Sequence, residues 1–277
     1  MDKKKYLLIA GRWFQRTMML MWLVLVGLLF SYSYPFLKSM NSMTSLSQSY
    51  FEVTYRQKAG VEYKQVDKKP ENWVELKDIS KRLQGAIISS EDGKFYQHPG
   101  YDVEELSDAI DKGLVKKKKN KLRGASTITQ QLVKNLYFQN DRSFWRKTKE
   151  MALTLWMEDH VEKKKILESY LNVIEFGEGI YGIRNASRHY FKKEPSKLNA
   201  RESAFLAMLL PSPKKYSVSY KRRILTSFAQ RSIHSILFKM LQGGYIGVDE
   251  YSDNLNTHFS WERYEQASFT SDDIRNF

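Results

Sequence analysis

The strongest pattern in the chain is an uncharged apolar run near its start. Residues 17–37 contain no Asp, Glu, Lys or Arg and are rich in Leu, Met, Val and Phe. These 21 residues would cross a bilayer core of about 30 Å as a helix, which predicts a transmembrane anchor; a buried globular helix is the alternative. Five cations precede the run and Lys38 follows it, which predicts a cytoplasmic N-terminus over residues 1–16 and an exported remainder.

Residues 38–72 are predicted to be a stem between the anchor and a folded domain. Ser39 to Tyr50 is uncharged and rich in Ser and Met, a composition typical of a linker rather than of a core. The loose alternation of apolar and polar positions from Glu52 to Tyr63 is compatible with a short strand.

Between residues 73 and 215 apolar positions recur at helical spacing, which predicts a mainly α domain. Asp102 and Glu105 form a capping-box-like helix start, and a cationic loop follows at Lys116–Lys119. Further helices are predicted at Ile128–Tyr137, at Lys147–Glu158, at Lys163–Glu175 before a turn rich in Gly, and from Asn199 and Glu202 to Pro211 and Pro213.

The final segment, residues 216–277, is predicted to be a helical extension with a polar tail. Arg222 to Leu241 is amphipathic and stops at Gly243 and Gly244, residues that commonly end helices. The tail after Asp253 has no clear pattern.

Composition narrows the chemistry of this domain. The chain lacks Cys, which excludes disulfide frameworks, thiolate zinc sites and Cys nucleophiles. Its net charge is +14, and +10 remains beyond residues 1–16, so a tethered basic domain would face anionic lipid headgroups. Nucleic-acid binding through residues 116–123 is disfavoured because no aromatic residue interleaves that basic run.

The acidic pair Glu91-Asp92 is the first candidate for chemistry. It lies between an apolar run, Ala86 to Ile88, and a loop that contains Phe95 and His98. A carboxylate desolvated at the end of a buried element becomes basic enough to take a proton near neutral pH. The alternatives are a surface pair or a helix cap, with Asp92 accepting from backbone N–H groups, and His98 alone supports a metal site only weakly.

A polar segment that opens a helix is the second candidate. Residues four apart share a helix face, which pairs Gln130 with Lys134 and Gln131 with Asn135. Amides and an ammonium on one face suit sugar hydroxyls and a phosphate, whereas an ordinary polar face is the alternative. Ser126 is the predicted N-cap. The polar residues of the segment are Ser126, Thr127, Gln130, Gln131, Lys134 and Asn135.

A basic cluster around a carboxylate is the third candidate. Arg146 and Glu150 are four residues apart and form an ordinary helix salt bridge on the simplest interpretation. The cluster comprises Arg142, Arg146, Lys147, Lys149 and Glu150.

These segments resemble, in order, the motifs of the peptidoglycan glycosyltransferases, the family 51 domain of penicillin-binding proteins. The likeness covers about residues 75–215, with small departures at Ala125 and Ser187, where the family often has Gly and Ala. Ser212 to Lys215 spells Ser-x-x-Lys, but no Lys-Thr-Gly follows, so the chain resembles the monofunctional form without a transpeptidase. The five matching segments are Ala86–Asp102, Gly124–Asn135, Arg146–Glu150, Lys165–Ile183 and Glu202–Pro213.

The resemblance implies a lysozyme-like helical domain that polymerises lipid II with inversion, forming a β-1,4 linkage and releasing undecaprenyl pyrophosphate. Glu91 is implied as the general base and Glu150 as a second catalytic carboxylate. Lys134 and Arg142 would neutralise the pyrophosphate, with or without a divalent cation such as Mg²⁺ or Mn²⁺. The implied substrate-binding residues are Asp92, Phe95, Ser126, Thr127, Gln130, Gln131, Lys134, Asn135, Arg142, Arg146 and Lys149.

The implied partners are lipid II, the growing glycan strand and the bacterial cytoplasmic membrane, with penicillin-binding transpeptidases or the division and elongation proteins beside them; nucleic acid is not among them. Two other functions are compatible with the chain: a membrane-anchored, lysozyme-like enzyme that cleaves the wall, and a non-enzymatic membrane-tethered scaffold. Cleavage needs a general acid and no cations for pyrophosphate, so Lys134 and Arg142 favour the transferase.

Overall fold

The computed structural model of the protein describes residues 13, 17–27, 30–31, 33–34, 37–38, 40, 45–58, 60–102, 126–139, 141, 145–255 and 257–263. The predicted helix after Asp102, the cationic loop and Arg142 lie outside these residues. Residues 17–27 are helical and have exposed side chains. Within the described part of the chain, no helix combines the length and the apolar character needed to span a membrane.

The predicted mainly α architecture is confirmed, with two small hairpins added to the helices. The helices are α1 (Lys81–Glu91), α2 (Ile128–Tyr137), α3 (Arg146–His160), α4 (Lys163–Val173), α5 (Ile183–Phe191), α6 (Ala200–Leu209), α7 (Pro213–Tyr216), α8 (Val218–Arg222), α9 (Ser227–Gln242) and α10 (Val248–Leu255). The strands are β1 (Tyr50–Arg56), β2 (Gly60–Val66), β3 (Glu175–Gly177) and β4 (Ile180–Tyr181).

Helix α6 lies at the centre of the core, and all of its residues are buried. Its start was predicted correctly: Asn199 Oδ1 accepts from the Glu202 N–H at 2.8 Å, and Glu202 Oε2 accepts from the Asn199 N–H at 3.0 Å. Arg201 is buried in the same turn, and its Nη1 donates to the Asn254 and Leu255 carbonyls at 3.0 Å. These hydrogen bonds offset part of the desolvation at the start of the helix, although the buried Nε of Arg201 has no hydrogen-bond partner among the described residues.

Helices α1 and α9 both pack against α6 and against each other. Gly85 allows the close approach, because a Cβ atom built on it would lie 2.4 Å from Cγ of Tyr245, just after α9. The helices that follow residue 215 therefore share the core that carries α1.

Helix α2 packs against both α3 and α4, and β1 packs against α4. The alternating segment forms two strands rather than one, since β1 and β2 pair antiparallel from Tyr50–Val66 to Arg56–Gly60. Leu46, within the predicted stem, is fully buried, so that end of the stem belongs to the folded domain.

Two predicted helix bounds were wrong for local reasons. Helix α4 ends at Val173 instead of Glu175, because the Ile174 carbonyl accepts from Gly182 N–H at 3.0 Å and the chain turns into β3. Helix α9 starts at Ser227 instead of Arg222, because the Thr226 hydroxyl caps it by accepting from the Ala229 N–H at 3.2 Å.

Gly85→Ala is expected to lower the free energy of unfolding by about 1–3 kcal/mol, because the added methyl overpacks the contact between α1 and α9. Thermal or denaturant unfolding measures the change. The matched control is Gly93→Ala, since a Cβ atom there meets no heavy atom within 4 Å. Equal effects of the two substitutions would contradict the proposed close packing.

Candidate active site

Glu91 is the last residue of α1, and its position follows from the burial of that helix. Residues Leu83 to Ile88 are all buried, so α1 carries the chain out of the core and leaves Glu91 half-buried at its end. Burial raises the pKa of the Glu91 carboxyl above its ordinary value, and a hydrogen bond from Gln131 and the charge of Lys239 partly oppose this effect. The carboxylate is therefore a stronger base than one in water.

Gln131 connects Glu91 to the interior of the domain. Its Nε2 donates to Glu91 Oε2 at 2.9 Å and to the Ser126 carbonyl at 3.2 Å. Its Oε1 accepts from the hydroxyl of Tyr170, a fully buried residue of α4, at 2.9 Å. The general-base candidate is thus positioned by Gln131 of α2, and Gln131 is in turn positioned by Tyr170 of α4.

Asp92 has a different role from its neighbour, because the protein uses both of its oxygens. Oδ1 contacts His98 Nε2 at 2.8 Å, and Oδ2 accepts from the Ile128 N–H at 3.0 Å. His98 Nδ1 accepts from the Gly100 N–H at 3.1 Å, so Nε2 carries the proton that His98 donates to Asp92. Asp92, which is also predicted as a substrate-binding residue, thus joins the end of α1 to the start of α2.

Two other residues of the predicted binding set also serve the protein interior. Thr127, not Ser126, caps α2: its hydroxyl accepts from the Gln130 N–H at 3.2 Å and donates to the Gly100 carbonyl at 2.8 Å. The Phe95 ring is fully buried, with the Lys163 ammonium 4.4 Å from its centre. Ser126 itself is exposed.

Glu150 is almost completely buried, with an exposed fraction of 2%, and is neutralised by two cations. Arg146 Nη1 donates to its Oε2, and Lys147 Nζ donates to its Oε1 at 2.6 Å. Lys147 Nζ also lies 3.4 Å from Oε1 of the buried Gln130. Lys149 points elsewhere and pairs with Asp141 at 3.6 Å.

Lys134 and Asn135 lie on the outer part of α2, where Lys134 is exposed and Asn135 is half-buried. Among the described side chains, none forms a hydrogen bond or ion pair with the Lys134 ammonium. Within the described part of the chain, the Lys134 ammonium thus has no anionic side chain bound to it.

Helix α2 separates two carboxylates with different electrostatics. Gln131 faces Glu91, which carries a burial penalty, whereas the adjacent Gln130 faces the Lys147–Glu150 pair, in which the negative charge is compensated. This arrangement suits proton uptake at Glu91 and binding of a negatively charged group near the cations. In the described segments, no group of three or more His, Asp or Glu residues is placed to hold a metal ion.

Sequence reasoning missed two residues of this site, Tyr170 and Lys239. Lys147 was part of the predicted basic cluster but not of the implied substrate-binding set, although its position three residues before Glu150 favours an ion pair on a helix. Tyr170 lies within the predicted helix Lys163–Glu175, where an aromatic residue is typical of an ordinary core position. Lys239 carried no signal, since only the packing of α9 on α1 brings it near Glu91.

Glu91→Gln is expected to stabilise the folded protein at neutral pH. Because its pKa is raised in the folded state, stability falls as pH rises from the ordinary value of 4.5 through the raised value. The variant should therefore have the higher unfolding midpoint at neutral pH, and the difference should vanish below the ordinary carboxyl range. Glu62→Gln, at an exposed position of β2, is the control; the same pH dependence in both variants would refute the burial effect.

Comparison with known proteins agrees with this geometry. The family described as Transglycosylase matches residues 59–241. Three relatives are named biosynthetic peptidoglycan transglycosylases. The protein of Laribacter hongkongensis is 41% identical over 167 residues, which cover 59% of this chain and 72% of the relative. The Shewanella oneidensis protein is 48% identical over 147 residues, covering 53% and 62%, and the Aeromonas hydrophila protein is 46% identical over 147 residues, covering 53% and 61%.

The chain thus spans less than two-thirds of the length of the last two relatives. The matched region contains Glu91, the whole of α2 and Glu150. The chain therefore belongs to the transglycosylase family.

Proposed function

We propose that the chain polymerises lipid II into the glycan strands of the bacterial cell wall. The observation that carries this proposal is the combination of a desolvated carboxylate at Glu91, the cations Arg146 and Lys147 around Glu150, and the exposed Lys134 on α2. A transfer from a lipid pyrophosphate needs a base for the acceptor and positive charge for the leaving group.

Glu91 acts as the general base. It takes the proton of the acceptor 4-hydroxyl while that oxygen forms a bond to C1 of the donor sugar. The bond between C1 and the pyrophosphate oxygen breaks, and the electron pair leaves with undecaprenyl pyrophosphate. Attack opposite to an α-linked leaving group produces the β-1,4 linkage by inversion.

The leaving group already carries charge, so it needs cations rather than a proton donor. Lys134 is the best supported cation among the described residues, because its ammonium is exposed and the others nearby are engaged. Arg142, outside the described residues, would assist it. Glu150 keeps Arg146 and Lys147 in place beside this group, which explains a buried carboxylate that is paired twice.

Residues 17–37 anchor the enzyme in the cytoplasmic membrane as a single span, with the lysozyme-like catalytic domain on the outer side. The apolar side chains exposed along residues 17–27 support this placement, since an exposed apolar surface of this kind suits lipid. Penicillin-binding transpeptidases and the division or elongation proteins are the partners that would cross-link and direct the new strands.

Glu91→Gln is expected to abolish polymerisation of lipid II while the protein stays folded, because an amide cannot accept the proton. Gel separation of labelled glycan strands measures the product, with and without a chelator of divalent cations. Glu62→Gln should polymerise at the unmodified rate. Glycan strands formed by Glu91→Gln at the normal rate would remove Glu91 as the base, and digestion of purified wall without lipid II would favour the cleaving enzyme.

Lys134→Ala is expected to reduce the rate by about a hundredfold, which corresponds to the loss of a few kcal/mol of charge stabilisation in the transition state. The thermal midpoint should stay nearly unchanged, because the side chain is exposed. Lys64→Ala, an exposed position of β2, is the matched control. An unaltered rate in Lys134→Ala would exclude this residue from the pyrophosphate site.

A further inference from the structure

Tyr170 is buried beneath the active site, in the middle of α4, and does not reach the space where substrate would lie. Its exposed fraction is 0%. Its hydroxyl donates to Gln131 Oε1 at 2.9 Å, and Gln131 Nε2 donates to Glu91 Oε2 at 2.9 Å. Three residues from three helices therefore form one chain of hydrogen bonds that ends on the general base.

The donor and acceptor roles along this chain of hydrogen bonds follow from the Ser126 carbonyl, whose role is fixed. The Ser126 carbonyl can only accept, and it receives a hydrogen bond from the same nitrogen of Gln131 that faces Glu91. That nitrogen assignment leaves Oε1 toward α4, so the Tyr170 hydroxyl is the donor to it. Burial raises the pKa of Tyr170 well above its ordinary value, which keeps the hydroxyl protonated at every pH at which the enzyme would work.

Without such a donor, the side-chain amide of the half-buried Gln131 has two orientations. With its nitrogen toward Glu91 it stabilises the carboxylate, and with its oxygen toward Glu91 it favours the protonated acid. In the second orientation the NH₂ group of Gln131 would face the Tyr170 hydroxyl, which would lose its acceptor. The Ser126 carbonyl would lose its donor. The tyrosine therefore adds a cost to the wrong orientation.

We propose that Tyr170 is a positioning residue for the general base: its hydroxyl holds Gln131 with the NH₂ group toward Glu91. The inference rests on the proposed role of Glu91. Desolvation makes Glu91 basic, and the oriented amide keeps it ionised at the pH where it has to accept a proton. Without Tyr170 a larger share of the enzyme would hold Glu91 protonated and inactive.

The other charged groups that face Glu91 in the described structure remain in place when Tyr170 is changed. Asp92 adjoins it at the end of α1 and raises its pKa, whereas Lys239 on α9 lowers it. Because the hydroxyl of Tyr170 is uncharged, its removal acts only through the orientation of Gln131.

The test compares pH profiles of lipid II polymerisation for the full chain, Tyr170→Phe, Gln131→Met and the double variant. Tyr170→Phe should lose about three- to tenfold in rate on the acidic limb, where Glu91 titrates, and less than about twofold on the plateau. Gln131→Met should show the same pattern, and the double variant should lose no more than either single variant, as expected for one coupled unit.

Tyr190→Phe is the matched control. Tyr190 is also buried, and its hydroxyl donates to a backbone carbonyl, that of Phe176, at 2.9 Å, away from Glu91. Its removal should lower the thermal midpoint without moving the acidic limb. A rate loss of the same factor at every pH in Tyr170→Phe would overturn the proposal, because it would show a structural role alone.

A second measurement separates this inference from the proposed function. If Glu91→Gln still polymerises lipid II, the proposed role of Glu91 as the base fails, but the hydrogen-bond chain from Tyr170 through Gln131 to Glu91 can still be tested by unfolding. Tyr170→Phe should then destabilise more at neutral than at acidic pH when Glu91 is present, and equally at both when Glu91 is Gln. If Tyr170→Phe lowered the free energy of unfolding by the same amount at every pH with Glu91 present, the proposed role of Tyr170 would be refuted.

Discussion

The desolvation of Glu91 is the constraint on which the site depends. Its carboxylate sits at the C-terminal end of α1, where burial and the negative end of the helix dipole both disfavour the charged form. The cost is tolerated because α1 is held tightly between α6 and α9, with Gly85 against Tyr245. Moving the carboxylate into water would relieve the penalty, and the packing of α1 prevents that movement.

The polar connections around α2 follow from the same constraint. Asp92 holds the start of α2 through the Ile128 N–H, and Tyr170 holds its middle through Gln131. A general base works only if both its position and its protonation state are controlled. The hydrogen bond from Ile128 to Asp92 controls the position, and the hydrogen bond from Tyr170 to Gln131 controls the protonation state. The site therefore extends into α4, which reaches Glu91 through the hydrogen bond from Tyr170 to Gln131.

Glu91 and Glu150 show how environment divides roles between identical side chains. Glu91 accepts a hydrogen bond from the amide of Gln131, and burial still disfavours its charged form. Glu150 forms ion pairs with an arginine and a lysine, which compensate its negative charge. A buried carboxylate that is paired with two cations holds those cations in place. In the proposed reaction this difference separates the side that activates the acceptor from the side that receives the pyrophosphate.

Local sequence was enough to predict what depends on local interactions. The span of α2, the capping box of Asn199 and Glu202, and the candidacy of Glu91 all follow from neighbouring residues and their spacing. Tertiary structure alone decided that Thr127 rather than Ser126 caps α2, because the Thr127 hydroxyl is held by the Gly100 carbonyl from another segment. It also decided the positions of Tyr170 and Lys239 around Glu91. Hydrogen bonds and charges act over a few ångströms in space, and only the packing of α1, α2, α4 and α9 brings those distant residues within that range.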